Sequence, residues 1–148
     1  MVTDAPPIAR IDNFPDVSLT EREQRVVERL LGWLRAEIGD DLLAVWLFGS
    51  RARGEANLAE TDPDRRSDVD LMVVVGPGTD AGRLKWALAA HLAEIADDEG
   101  DSPVWYSVLV YDSARVMERR RVRSFFLQEV DRDKVVLLGG RLEEAEQP

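Results

Sequence analysis

Two apolar runs follow one another in this chain, and each meets a short polar motif. Leu42-Leu43-Ala44-Val45-Trp46-Leu47-Phe48 leads directly into Gly49-Ser50, and Asp68-Val69-Asp70 leads directly into Leu71-Met72-Val73-Val74-Val75. Runs of this length with almost no polar interruption are the pattern of strands buried on both faces. They demand a sheet covered on each side by something else. A glycine turn at the end of one strand lets a backbone approach phosphate. Two acids two residues apart at the start of the next strand share a face, with α-carbons roughly 6.6 Å apart at ~3.3 Å per residue. Such acids repel each other unless a cation lies between them, and a hard oxygen-seeking ion such as Mg²⁺ suits them.

The intervals around these runs predict the covering layers. Thr20-Glu21-Arg22-Glu23 is a capping-box pattern, and Val26, Val27, Leu30, Leu31, Leu34 and Ile38 recur at helical spacing before Gly39. A helix is expected at about 20–38, strands at about 42–48 and 69–75, and a short helical turn near Arg51–Gly54. Leu84, Leu88, Leu92 and Ile95 predict a helix at about 80–97, after the Gly76-Pro77-Gly78 turn. Val104–Tyr111 reads as a third strand. Ser113 is the expected cap of a helical segment that breaks near Ser124 and resumes through Phe125–Val130. Val135–Leu138 reads as a last strand. The expected organisation is an extended arm at 1–17, one α+β domain at 18–140 with helices packed on a mixed β-sheet, and an acidic tail at 141–148.

Composition excludes several classes. Asp and Glu number 29 against 19 Lys and Arg, a net charge of −10, so no broad nucleic-acid-binding face is expected. Cysteine is absent, which removes disulfides, thiolate nucleophiles and cysteine metal sites. The first residues carry an acid and two prolines, unlike a signal peptide, and no apolar stretch approaches the ~20 residues of a membrane span. A soluble cytoplasmic protein without a membrane partner is expected.

The string Gly49-Ser50-Arg51-Ala52-Arg53-Gly54-Glu55-Ala56, followed by Ser67-Asp68-Val69-Asp70-Leu71, resembles the signature of the minimal nucleotidyltransferases of the DNA polymerase beta superfamily. The resemblance implies a nucleotidyltransferase-like mixed sheet and Mg²⁺, two ions in an active member. It also implies transfer of a nucleoside monophosphate from a triphosphate such as ATP to a hydroxyl on a small molecule, protein or RNA. Asp68 and Asp70 would be catalytic metal ligands. Gly49, Ser50, Arg51 and Arg53 would bind the nucleotide. Small members of that family often pair with a helical protein, in some cases as the antitoxin of a toxin–antitoxin system that modifies the toxin with AMP. A homo-oligomer is the other expected partner.

Two departures stand out. The interval between Ser50 and Asp68 is long, with the surplus in the charged loop Asn57–Arg66. The third carboxylate of active members maps to Ser107, a poor Mg²⁺ ligand and no general base near neutral pH. Asp112 lies five residues on, too far along a strand to substitute, whereas Glu55, Asp62 or Asp64 on the loop offer replacements. A catalytically degenerate nucleotide- or partner-binding module is therefore the alternative, and a small acidic dimerisation domain without ligand a third. Arg115, Arg119, Arg120, Arg121 and Arg123 form a basic cluster, read chiefly as a charged helix face. His91 reads as structural. Trp33, Trp46, Trp86 and Trp105 read as core or interface.

Overall fold

The structure is a computed structural model that describes residues 18–54 and 66–139. The arm at 1–17, the tail at 141–148 and the loop acids Glu55, Asp62 and Asp64 lie outside the described residues. In chain order the elements are α1 (Glu21–Ile38), β1 (Leu42–Phe48), α2 (Ser50–Arg53), β2 (Val69–Val75), α3 (Ala81–Asp98), β3 (Tyr106–Asp112), α4 (Ser113–Arg121), α5 (Phe125–Asp133) and β4 (Val135–Gly139). The fold is mixed α+β. The described strands form one sheet in the order β3-β2-β1-β4; β1 runs antiparallel to β2 and β4, and β2 runs parallel to β3.

Period-two alternation splits the core into two layers. On one face Val45, Leu47, Val69, Leu71, Val73 and Val75 pack with α1 and α3, through Val26, Val27, Leu30, Leu31, Leu34, Leu84, Leu88 and Leu92. On the other, Ala44, Trp46, Met72 and Val74 pack with Val116, Leu127 and Val130 of α4 and α5. The central strands β1 and β2 are thus covered on both sides, as their unbroken apolar sequences require. α1 starts on the expected capping box: the Thr20 hydroxyl accepts from the Glu23 amide, and the Glu23 carboxylate accepts from the Thr20 amide. It ends at Gly39, whose φ of 53° is left-handed.

Two expected boundaries move. The third strand starts at Tyr106 rather than Val104, because Pro103–Trp105 form a 3₁₀ turn capped by the Ser102 hydroxyl on the Val104 amide. The cap of α4 is Asp112, not Ser113: its carboxylate accepts from the Arg115 amide at 2.7 Å, a stronger acceptor than a hydroxyl at a helix start. The break between α4 and α5 falls at Ser124 as expected. There Arg123 takes φ 57°, the Arg123 amide donates to the Arg120 carbonyl, and the Ser124 amide donates to the Arg119 carbonyl. This is a Schellman ending with arginine where glycine is usual. Arg123→Gly is expected to raise stability by about 1 kcal/mol, read as a melting temperature a few degrees higher. An unchanged or lower melting temperature contradicts this assignment.

Candidate nucleotide and metal site

The end of β1 and the starts of β2 and β3 meet at one edge of the sheet. Phe48 pairs with Asp70 across β1 and β2, and Asp70 pairs with Ser107 across β2 and β3. Phe48, Asp70 and Ser107 share the face that carries Trp46 and Met72, by strand alternation. Phe126 of α5 packs edge-on against Phe48, with ring centroids 5.6 Å apart, and so closes the apolar side of this corner.

Gly49 is where the chain turns. Its φ is 76°, and its carbonyl accepts from the Ala52 and Arg53 amides to start the single turn of α2. A Cβ at this position would stand 2.5 Å from Asp70 Oδ2 and 3.4 Å from Asp70 Cγ. The backbone of the glycine turn therefore lies directly against the carboxylate, and any side chain at 49 would displace it. Asp68 is exposed and Asp70 half-buried. Burial, and then the neighbouring Asp68 charge, push the Asp70 carboxyl up to about 6 against the opposing pull of Arg51. The pair is thus a place where added positive charge is favourable.

The donor set tests whether a cation suits the site. Two carboxylates present hard oxygen ligands, and among the described residues no group of three or more His, Cys, Asp or Glu side chains is placed to hold a metal. This fits Mg²⁺, which commonly takes one or two carboxylates and completes its shell with water and substrate phosphate.

Arg51 departs from the expected phosphate contact. It is fully buried, and its guanidinium points inward to Glu23, with Nη1 to Oε1 at 2.5 Å and Nη2 to Oε2 at 3.0 Å. The same guanidinium donates to the Ser18 carbonyl, the Ser67 carbonyl and the Ser67 hydroxyl. Arg51 therefore ties the glycine turn to the residue just before Asp68, and both to the start of α1. Arg66, expected on the loop at the site mouth, belongs to the same cluster. It donates to Glu23 and, with two bonds, to Asp101, and it lies over the Trp105 ring. Burial would raise the Asp101 carboxyl, but bonds from Arg66, the Tyr106 hydroxyl and the Ser102 amide outweigh it and hold the group at about 2. Glu23, Arg66, Asp101 and Tyr106 escaped the sequence reading. The capping box marks Glu23 as a helix-start residue, but no local pattern announces its second partner.

Arg53 is exposed at the end of α2 and pairs with Asp133 of α5 at 3.3 Å. The basic cluster is divided among local tasks. Arg120 makes two bonds to Asp131, Arg121 pairs with Glu118, and Arg115 lies over the Tyr111 ring. Arg119 and Arg123 are exposed. His91 stacks on Trp33 with centroids 4.7 Å apart, consistent with a structural role. Trp46 is fully buried, but Trp86 is 82% exposed, so it is no part of the core. It lies on the side of α3 away from the buried Leu84, Leu88 and Leu92.

No protein-family model matches the chain, and no curated protein matches it significantly. Solved structures do. A crystal structure of a toxin–antitoxin with AMP-PNP is similar at 23% identity and TM-score 0.46, over 79% of this chain and 77% of that one. A candidate nucleotidyltransferase from Sulfolobus solfataricus is similar at 18% identity and TM-score 0.41, over 83% of this chain and 91% of that one. Identities this low speak to the fold alone. No described helix is long and apolar enough to cross a membrane.

Proposed function

We propose that this chain binds a nucleoside triphosphate with Mg²⁺ and transfers its nucleoside monophosphate to an acceptor hydroxyl. The observation that carries the reading is the contact between the Gly49 turn and the Asp70 carboxylate. It places the glycine turn directly against one of the two acids, with the other acid two residues away on the same strand face. In this reading the Ser50 hydroxyl and the backbone of the turn hold the β- and γ-phosphates, and Arg53, at the end of α2, offsets phosphate charge. Asp68 and Asp70 hold the cation, which when bound neutralises phosphate charge and assists ionisation of the acceptor hydroxyl. The hydroxyl gives up its proton to solvent water, its oxygen attacks the α-phosphorus, the bond to the bridging oxygen breaks, and pyrophosphate leaves. Positioning and charge neutralisation supply most of the rate. Arg51 acts one step back, as a positioning residue that fixes the turn relative to Ser67 and Asp68.

The acceptor is a small molecule, protein or RNA. The resemblance of the Gly49-Ser50 and Asp68–Asp70 signature to a family whose small members often pair with a helical protein favours a protein partner, with this chain in the antitoxin role. A second reading rests on Ser107. It sits beside Asp70 where active relatives of this signature carry a third acid, and that favours a binding module that keeps its nucleotide without turnover.

The two readings separate on incubation with α-³²P-labelled triphosphates, Mg²⁺ and candidate acceptors. The enzyme reading expects labelled acceptor and pyrophosphate. The binding reading expects saturable, Mg²⁺-dependent retention with neither. Gly49→Ala is expected to weaken triphosphate binding at least about tenfold under both readings, because a methyl group there collides with Asp70. Unchanged affinity in a titration calorimeter would remove the glycine turn from the site.

A further inference from the structure

The outer surface of α3 carries a feature that the nucleotide site does not use. The buried side of this helix is Leu84, Leu88, Leu92, Ile95 and Ala96. On the opposite side lie Trp86, Ala89, Ala90 and Ala93, all exposed, with Trp86 at 82%. At 3.6 residues per turn these four form one stripe, a large aromatic at one end and small residues at the other. An exposed tryptophan on a well-formed helix is costly to leave in water, and tryptophan is the residue most enriched at binding hot spots.

Charge shows what the stripe fits. Beside it, Arg83 lies toward the helix start and Glu94 toward its end, both exposed and on the same flank, about 20° apart around the axis at ~100° per residue. The helix is thus basic at one end of the stripe and acidic at the other. Such a surface is complementary to itself when reversed.

We propose that α3 is a homodimer interface in which two copies of the helix pack antiparallel about a two-fold axis near Leu88 and Ala89. In that arrangement Trp86 of each copy seats in the shallow patch formed by Ala90 and Ala93 of the other. Arg83 of each copy stands level with Glu94 of the other, twice by symmetry. Alanine lets the helix axes approach to the short end of the usual 8–10 Å range. The interface is isologous and closed, so it stops at two copies. One helix pair with a single aromatic anchor is small beside the ~1,600 Å² of a standard interface, so micromolar dissociation is expected. The α3 layer lies on the face of the sheet away from Asp70, so the dimer contact does not involve the proposed nucleotide site.

Sedimentation equilibrium of the full chain tests this over ~1–500 μM. A reversible monomer–dimer equilibrium is expected for the natural sequence. Trp86→Asp should give monomer throughout, at an unchanged melting temperature for the monomer. Arg83→Glu should weaken dimerisation at least about tenfold, and the double exchange Arg83→Glu, Glu94→Arg should restore it, because the pairing is re-formed with its signs reversed. A natural sequence that remains monomeric at 500 μM overturns the proposal and reassigns Trp86 to a different partner. A dimer that survives Trp86→Asp, or a charge exchange without rescue, overturns it as well.

Discussion

Arg51→Met should lower the free energy of unfolding by about 3 kcal/mol or more, measured by urea unfolding at neutral pH. The reason is the burial of both partners: the Arg51 and Glu23 side chains are 0% and 1% exposed. Removing one member of a buried ion pair leaves the other without its counter-charge, a loss of ~3–5 kcal/mol. Arg66 still pairs with Glu23 in the variant, which places the effect toward the lower end. The loss is a large share of the ~5–15 kcal/mol that holds an ordinary domain together. Arg51→Met with Glu23→Gln should lose less than the two single variants added together, because the unpaired charge is then gone. The effect should reach the site as well, since the Ser67 carbonyl and hydroxyl lose their donor one residue before Asp68. A loss below about 1 kcal/mol would show that the pair contributes little and that the two halves of the site are held in another way.

Asp70→Asn should do the opposite to stability while destroying binding. With Asp70 pushed up to about 6, the folded state holds this proton more tightly than the unfolded chain, whose carboxyl sits near 3.8. The contribution to stability is therefore present below about pH 4 and is lost as pH rises through about 6. Above that range the charged side chain destabilises the fold by on the order of 1 kcal/mol, after allowance for solvent screening of a half-buried group. Asparagine carries no charge at any of these pH values. The variant should melt higher than the natural sequence at pH 7.5 and show little difference at pH 4. A nonhydrolysable ATP analogue with Mg²⁺ should raise the melting temperature of the natural sequence by linkage and leave Asp70→Asn unmoved. A stability deficit in Asp70→Asn at pH 7.5, or an equal ligand response in both proteins, would contradict this assignment of Asp70. Stability given up at a site that must accept charge is the usual mark of function.

These two residues also show what a sequence can and cannot disclose. The strands, the glycine corner and the Asp68–Asp70 pair were legible because each rests on a period of two or on a turn residue, patterns that need only neighbours. Ser107 came from the family resemblance and not from a local period, and the parallel register pairs it with Asp70. Arg51 was not legible. Its position in the glycine motif suggests phosphate, but its partner Glu23 lies 28 residues upstream on another element, and only the packing of α1 brings the two together. Asp101 and Arg66 meet across 35 residues for the same reason. For Trp86 the sequence reading left core and interface open, although Leu84, Leu88 and Leu92 already fixed the buried side of α3 and a residue two places beyond Leu84 falls on the far side.

The central claim is that the glycine turn and the two acids hold one triphosphate between them. A crystal structure of the protein with Mg²⁺ and a nonhydrolysable ATP analogue tests it most directly. The account predicts the β- and γ-phosphates against the backbone of Gly49 and Ser50, with Mg²⁺ held by the carboxylates of Asp68 and Asp70. Phosphates bound elsewhere on the protein, or a triphosphate at the turn with both carboxylates directed away from it, would contradict the account.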